Sequence, residues 1–172
     1  MATSAVSLSI EDYLRTAYKP DVDYVDGEIQ ERNVGKIDHS TIQSAMVGFF
    51  WLRRTQWGIL PLTEQRIRVA ETRVRIADLA VIRADDPREE VTIQPPLICV
   101  EILSPEDRMS RAKIVLSDYV AMGVQNVWLI DPLRRAAFTF DAAGLHDADP
   151  FKLAVADSPI YLDLTEAFAA ID

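Results

Sequence analysis

Residues 72–83 constrain this chain more than any other stretch. Val74, Ile76, Asp78, Ala80 and Ile82 alternate onto one face, and Ala77, Leu79 and Val81 onto the other. Both faces are largely apolar, the pattern of a central strand buried on two sides. Residues 97–103 repeat it, with Leu97, Cys99, Glu101 and Leu103 on one face and Ile98, Val100 and Ile102 on the other. Each strand carries one carboxylate in an apolar row, Asp78 in the first and Glu101 in the second. A buried, unpaired carboxylate is costly, so it is normally protonated, paired or bound to a metal. Two of them on adjacent strands repel unless a cation lies between, and a hard divalent ion with oxygen ligands is the economical choice.

The rest of the pattern supplies the layers that bury such a sheet. Ser9, with Asp12 three residues on, caps a helix whose apolar stripe is Ile10, Tyr13, Leu14, Ala17 and Tyr18. Asp26-Gly27 between apolar residues predicts a tight hairpin. A second helix starts at Asp38, with Ile37 and Ile42 placed as a hydrophobic staple, and runs out near Gly58. Strands follow at 65–70 and 72–83. Ser104-Pro105-Glu106-Asp107 is a start signal for a third long helix, which Gly123 closes. Further strands are expected at 126–130, 137–140 and 151–155, and a short helix near 165–170. The reading is one α/β domain over residues 1–172, with its core at about 9–140 and a C-terminal extension over 141–172. Only the strand after the third helix needs a crossover.

On that third helix the apolar stripe is Met109, Ala112, Leu116, Tyr119 and Val120. Lys113 falls at the edge of this stripe, which aims it at the sheet surface, where Asp78 and Glu101 could meet it. A lysine there lowers the cost of the carboxylates and can position or polarise an attacking water. Taken singly, each residue has a plainer explanation as a strand-end charge, a snorkelling lysine or a structural ion pair. It is their joint placement that points to a site.

Other classes lack their signals. There is no G-x-S-x-G, no P-loop and no dinucleotide fingerprint, and one cysteine with two separated histidines makes no zinc site. The lone Cys99 excludes an intrachain disulfide. No apolar run approaches the roughly 20 residues of a membrane helix, and residues 1–9 lack a signal-peptide pattern, so a cytoplasmic protein is expected. The net charge of -9 over 172 residues excludes tight duplex binding by the overall field. Nucleic acid would need a local basic patch or a metal that neutralises the acids.

Several pieces, in order, resemble the Uma2 family, also called DUF820. They are Tyr24-Val25-Asp26-Gly27-Glu28, His39 opening a helix, Arg75-Ile76-Ala77-Asp78-Leu79-Ala80-Val81, and Pro96-Leu97-Ile98-Cys99-Val100-Glu101-Ile102-Leu103-Ser104-Pro105. Lys113 with Tyr119, Gly123-Val124 and Trp128-Leu129-Ile130-Asp131-Pro132 complete them. The resemblance implies a restriction endonuclease-like PD-(D/E)xK fold, a mixed central β-sheet flanked by α-helices. It implies Asp78 and Glu101 as ligands of Mg²⁺, with Mn²⁺ as a substitute, and the backbone carbonyl of Ile102 as a further ligand. Ala77 stands where the motif name has proline. Leu103 stands where the motif lysine belongs, and Lys113 is the candidate for a displaced lysine. His39, at a helix N-terminus, could reach a phosphate or a metal-bound water, while Glu28, just past the hairpin turn, reads more naturally as an exposed strand residue. The expected function is a metal-dependent endonuclease hydrolysing phosphodiester bonds in nucleic acid, DNA first, acting as a homodimer. The alternative is a nuclease-fold binding or assembly module with little or no catalysis.

Overall fold

A computed structural model describes residues 7–33 and 35–172. Part of the segment read above for a signal peptide, residues 1–6, lies outside the described residues, as does Val34. The chain opens with α1 (Ile10–Arg15), whose N-cap Ser9 accepts a hydrogen bond from the Asp12 amide, as expected. The hairpin β1 (Asp23–Val25) and β2 (Glu28–Gln30) turns on Asp26 and Gly27, both with positive φ, as a tight Asp-Gly turn requires. Next come α2 (Ile37–Trp57), β3 (Ile59–Ala70), β4 (Arg73–Arg83), β5 (Ile98–Ile102), α3 (Met109–Met122), β6 (Asn126–Asp131) and β7 (Ala136–Asp141). The chain ends with β8 (Gly144–Asp147), β9 (Lys152–Ala154), β10 (Tyr161–Asp163) and α4 (Leu164–Ala169).

The main sheet is ordered β2-β1-β4-β5-β6-β7-β8, with β3 also paired to β4. Among the strand pairs of the described residues only β5 with β6 is parallel, and α3 is its crossover. On one face α2 packs Ile42, Met46, Phe49 and Phe50 against Leu79, Val81, Val100 and Trp128, with β9, β10 and α4 closing that layer. On the other face α3 packs Leu116 and Tyr119 against Ala80, Cys99, Val127 and Leu129. Both β4 and β5 are buried almost throughout, as two apolar faces demand. No described helix is long and apolar enough to cross a membrane.

One edge of β4 is shared by two partners. Along the other edge β3 pairs with it from end to end. On the shared edge β1 takes Arg73 and Val74, while β5 takes Leu79, Ala80 and Val81. The sheet therefore forks between Val74 and Leu79. Side chains replace the missing ladder bonds. Asp23 accepts the Ile76 amide at 3.1 Å, and Asp78 accepts the Ile102 amide at 2.7 Å. Arg75, in the fork and only 2% exposed, pairs with Asp23 at 3.0 Å and with Asp118 of α3 at 2.7 Å.

Two start signals resolve differently from the sequence expectation. Ser104 does not cap a helix. Its amide and hydroxyl both donate to the Asp107 carboxylate, at 2.7 and 2.9 Å, which closes a local turn, and α3 begins only at Met109. Ile42 is buried, but Ile37 is 81% exposed, so the staple is not made.

Removing the Arg75 charge strands Asp23 and Asp118 without their shared partner. Arg75→Met is expected to cost about 3–5 kcal/mol of folding stability in denaturant unfolding. A loss below about 1 kcal/mol, the scale of an exposed pair, would show that the fork does not rest on this ion-pair cluster.

Candidate functional site

The β4–β5 ladder ends at Leu79 and Val100, and extending its register one step would set Asp78 opposite Glu101. Directly opposed residues of an antiparallel pair share a face, with Cβ atoms roughly 5 Å apart. Both residues line a small cavity of about 60 Å³ where the fork opens. That cavity is lined by Asp23, Arg32, His39, Asp78, Glu101, Ile102, Asp107 and Arg111, among others.

Asp78 is 4% exposed, and both of its oxygens are engaged. Oδ1 accepts from Arg32 Nη2 at 2.7 Å. Oδ2 accepts from the Ile102 amide at 2.7 Å and lies 3.3 Å from His39 Nε2. The Asp78 carbonyl accepts from Gln43 of α2 at 2.7 Å. Glu101 accepts the Tyr119 hydroxyl at 2.7 Å. A strip of Glu101 opens into the cavity, yet burial pushes its carboxyl well above its ordinary range, and the Asp78 charge adds to this; Arg32 and the Tyr119 hydroxyl oppose it. Burial also works against the charge on His39, but its hydrogen bond to Asp78 and the charges of Asp78 and Glu64 outweigh that, so its pKa is raised. His39 Nδ1 is buried and has no hydrogen-bond partner among the described residues.

The structure brings together Asp78, Glu101, Ile102 and His39. It does not bring in Glu28, which is exposed on β2. Lys113 is also exposed and lies outside the cavity, contrary to the helical-face expectation. The buried face of α3 is Ala112, Val115, Leu116, Asp118 and Tyr119. At 3.6 residues per turn Lys113 lies roughly 130° from its centre. The apolar stripe misled because Met109 and Val120 are only partly buried, while the acidic Asp118 is buried by its bond to Arg75.

Several site residues carried little signal. Arg32 sits between β2 and α2, in a polar segment without periodicity. Glu64 interrupts the pairing of β3 with β4 opposite Asp78, and its backbone has φ +49°, a conformation that costs a non-glycine residue about 1–2 kcal/mol. Its carboxylate contacts Arg32 and accepts from Gln43 at 3.0 Å. Tyr119 did offer a cue, since a buried tyrosine usually gives its hydroxyl a partner.

His39 is seated under a residue with no side chain. A Cβ on Gly35 would lie 2.7 Å from His39 Nδ1. Gly35→Ala is therefore expected to push the imidazole off Asp78 and to drop its pKa back towards the ordinary value of about 6.5. NMR titration of His39 checks this, and an unchanged, raised pKa in the variant would contradict the geometry.

Comparison with known proteins agrees with this architecture. A solved structure described as a putative nuclease belonging to DUF820, from Anabaena variabilis ATCC 29413, superposes with a TM-score of 0.81. The match covers 95% of this chain and 99% of that one, at 21% identity, and so speaks for the fold. No curated protein matches the chain. The Uma2 family, described as putative restriction endonuclease, matches residues 10–152. A match over that share of the sequence, together with the shared fold, makes the chain a member of the Uma2 family.

Proposed function

We propose that this chain is a metal-dependent phosphodiesterase acting on nucleic acid, DNA first, with its site at the fork in the sheet. The observation that carries the reading is that Asp78 and Glu101, on two neighbouring central strands, line one cavity, close enough for the Asp78 charge to act on Glu101. Among the described residues no three His, Cys, Asp or Glu side chains gather in a metal-holding group. Mg²⁺ needs fewer protein ligands: it is held by one or two carboxylates and completes its shell with water and substrate phosphate. Asp78, Glu101 and the carbonyl of Ile102 would be the protein donors, all hard oxygens, and Mn²⁺ suits the same set. When bound, the ion would neutralise charge on the scissile phosphate and lower the pKa of a nearby water.

The charge balance supports the same reading. Four acids, Asp23, Asp78, Glu101 and Asp107, line the cavity with Arg32, Arg111 and His39, and burial and the Asp78 charge make the charged form of Glu101 costly. A phosphate needs added positive charge to enter. Tyr119 orients Glu101, Gln43 fixes the Asp78 backbone, and His39 Nε2 sits against Asp78 Oδ2, so these three would hold the two carboxylates in place. Beside the cavity, sharing His39, Leu103, Ser104 and Asp107 with it, opens a second hollow of about 350 Å³. Lys36 and Arg134 are among its lining residues, and it offers a path for the flanking strand.

Two observations favour the alternative of a nuclease fold used for binding alone: both oxygens of Asp78 are already satisfied within the protein, and among the described residues no lysine lines the cavity. Titrating Mg²⁺ into wild type and Glu101→Gln, alongside incubation with plasmid and single-stranded DNA, separates the two. The expected result is metal binding lost in the variant and metal-dependent nicking by wild type alone. DNA binding without metal, with no cleavage, would establish the binding module. Cutting both strands of a duplex calls for two sites, which a homodimer would supply, and β2 and β8 end the sheet with edges free to pair. A sedimenting mass of one chain would remove the dimer from this reading.

A further inference from the structure

The cation that holds Asp78 in this structure is a side chain. Arg32 Nη2 lies 2.7 Å from Asp78 Oδ1, and Nη1 contacts Glu64. Asp78, Glu101 and Glu64 together outweigh the burial that disfavours the charge on Arg32, so its pKa is raised. Its side chain is only 18% exposed. The segment that carries it is tied down around the cavity. Arg111 donates to the Glu31 carbonyl, Asn33 donates to Asp107, and Lys36 pairs with Glu106. Glu64, the second anchor of Arg32, is the residue whose backbone is forced to positive φ opposite Asp78. Strain kept at a site calls for a job done there, and the contacts of Glu64 name one: holding the guanidinium.

An arginine stays protonated at any ordinary pH, so this charge cannot be titrated away. Asp78 Oδ1 can be freed only by displacing the side chain. We propose that Arg32 is a tethered cation that closes the ion position at Asp78 and is exchanged for a divalent ion, with Glu64 as its anchor. The inference rests on the metal-dependent reading above. It assigns Arg32 a competing role and Glu64 a positioning role, and makes neither a metal ligand. With its segment held at three points, the exchange is a swing of the Arg32 side chain and leaves the fold in place.

The test is calorimetric titration of Mn²⁺ alone into the full chain. Wild type is compared with Arg32→Gln, Arg32→Lys and Glu64→Gln, with thermal melts to establish folding. Losing a charge-assisted hydrogen bond to Asp78 is expected to raise Mn²⁺ affinity roughly tenfold in Arg32→Gln. Arg32→Lys keeps the charge without the forked contact and is expected to show a smaller rise; it keeps the test readable if Arg32→Gln does not fold. Glu64→Gln, which loosens the anchor, is also expected to bind more tightly than wild type. Unchanged or weaker binding on changing Arg32 would overturn the proposal while leaving the metal site standing. Weaker binding in Glu64→Gln would overturn it by making Glu64 a ligand. No Mn²⁺ binding in wild type or any variant would bring down the metal reading itself, and this inference with it.

Discussion

The site depends on the Asp78 carboxylate standing in for a strand. Where β5 leaves the edge of β4, the Ile102 amide would lose its ladder partner, and Asp78 Oδ2 takes it. A buried amide without a partner costs about 1–3 kcal/mol, so this bond helps to define where β4 and β5 part. At the other side of the fork Asp23 does the same for the Ile76 amide. The opening between β1 and β5 is thus lined with acids because acids complete the backbone there. The same acids create the demand for a cation. Fold and site are in this sense one feature: the gap that interrupts the sheet is the gap that can hold a ligand.

Two buried charge clusters follow from that opening, and they differ in kind. Arg75, Asp23 and Asp118 form a closed set deep in the fork, with Gln30 also accepting from Arg75 at 3.1 Å. Every member has a partner, and the cluster ties β1, β4 and α3 together. The second set, around Asp78 and Glu101, is less settled. Burial and mutual repulsion press on Glu101, His39 keeps an unpartnered ring nitrogen, and Glu64 sits in strained backbone. Stable proteins tolerate such features at places that do something else. That contrast supports the proposed site at Asp78 over one at Arg75.

The parts of this account that were legible in the sequence share a physical reason. Strands buried on both faces read as apolar runs, and a charge inside such a run is conspicuous. Asp78 and Glu101 therefore stand out from the sequence alone, and the sheet flanked by helices follows from the same runs. What sequence reading missed is set by contacts far apart along the chain. Asp118 has the composition of a surface acid, but Arg75 draws it into the buried face of α3, which therefore lies away from the apolar stripe that aimed Lys113 at the sheet. Ser104 carries a good capping signal, but Asp107 captures it in a turn. Arg32 has no pattern around it at all, since its position comes from a segment pinned by residues about 75 to 80 positions away.

The central claim is that Asp78 and Glu101 hold a divalent ion where Arg32 now bonds. The most direct measurement is the anomalous diffraction of a crystal equilibrated with Mn²⁺. The account predicts a peak within ligand distance of both carboxylates, with the Arg32 guanidinium drawn away from Asp78. A crystal at saturating Mn²⁺ with no peak there, and with Arg32 still bonded to Asp78, would contradict it and leave a buried ion-pair cluster in a nuclease fold.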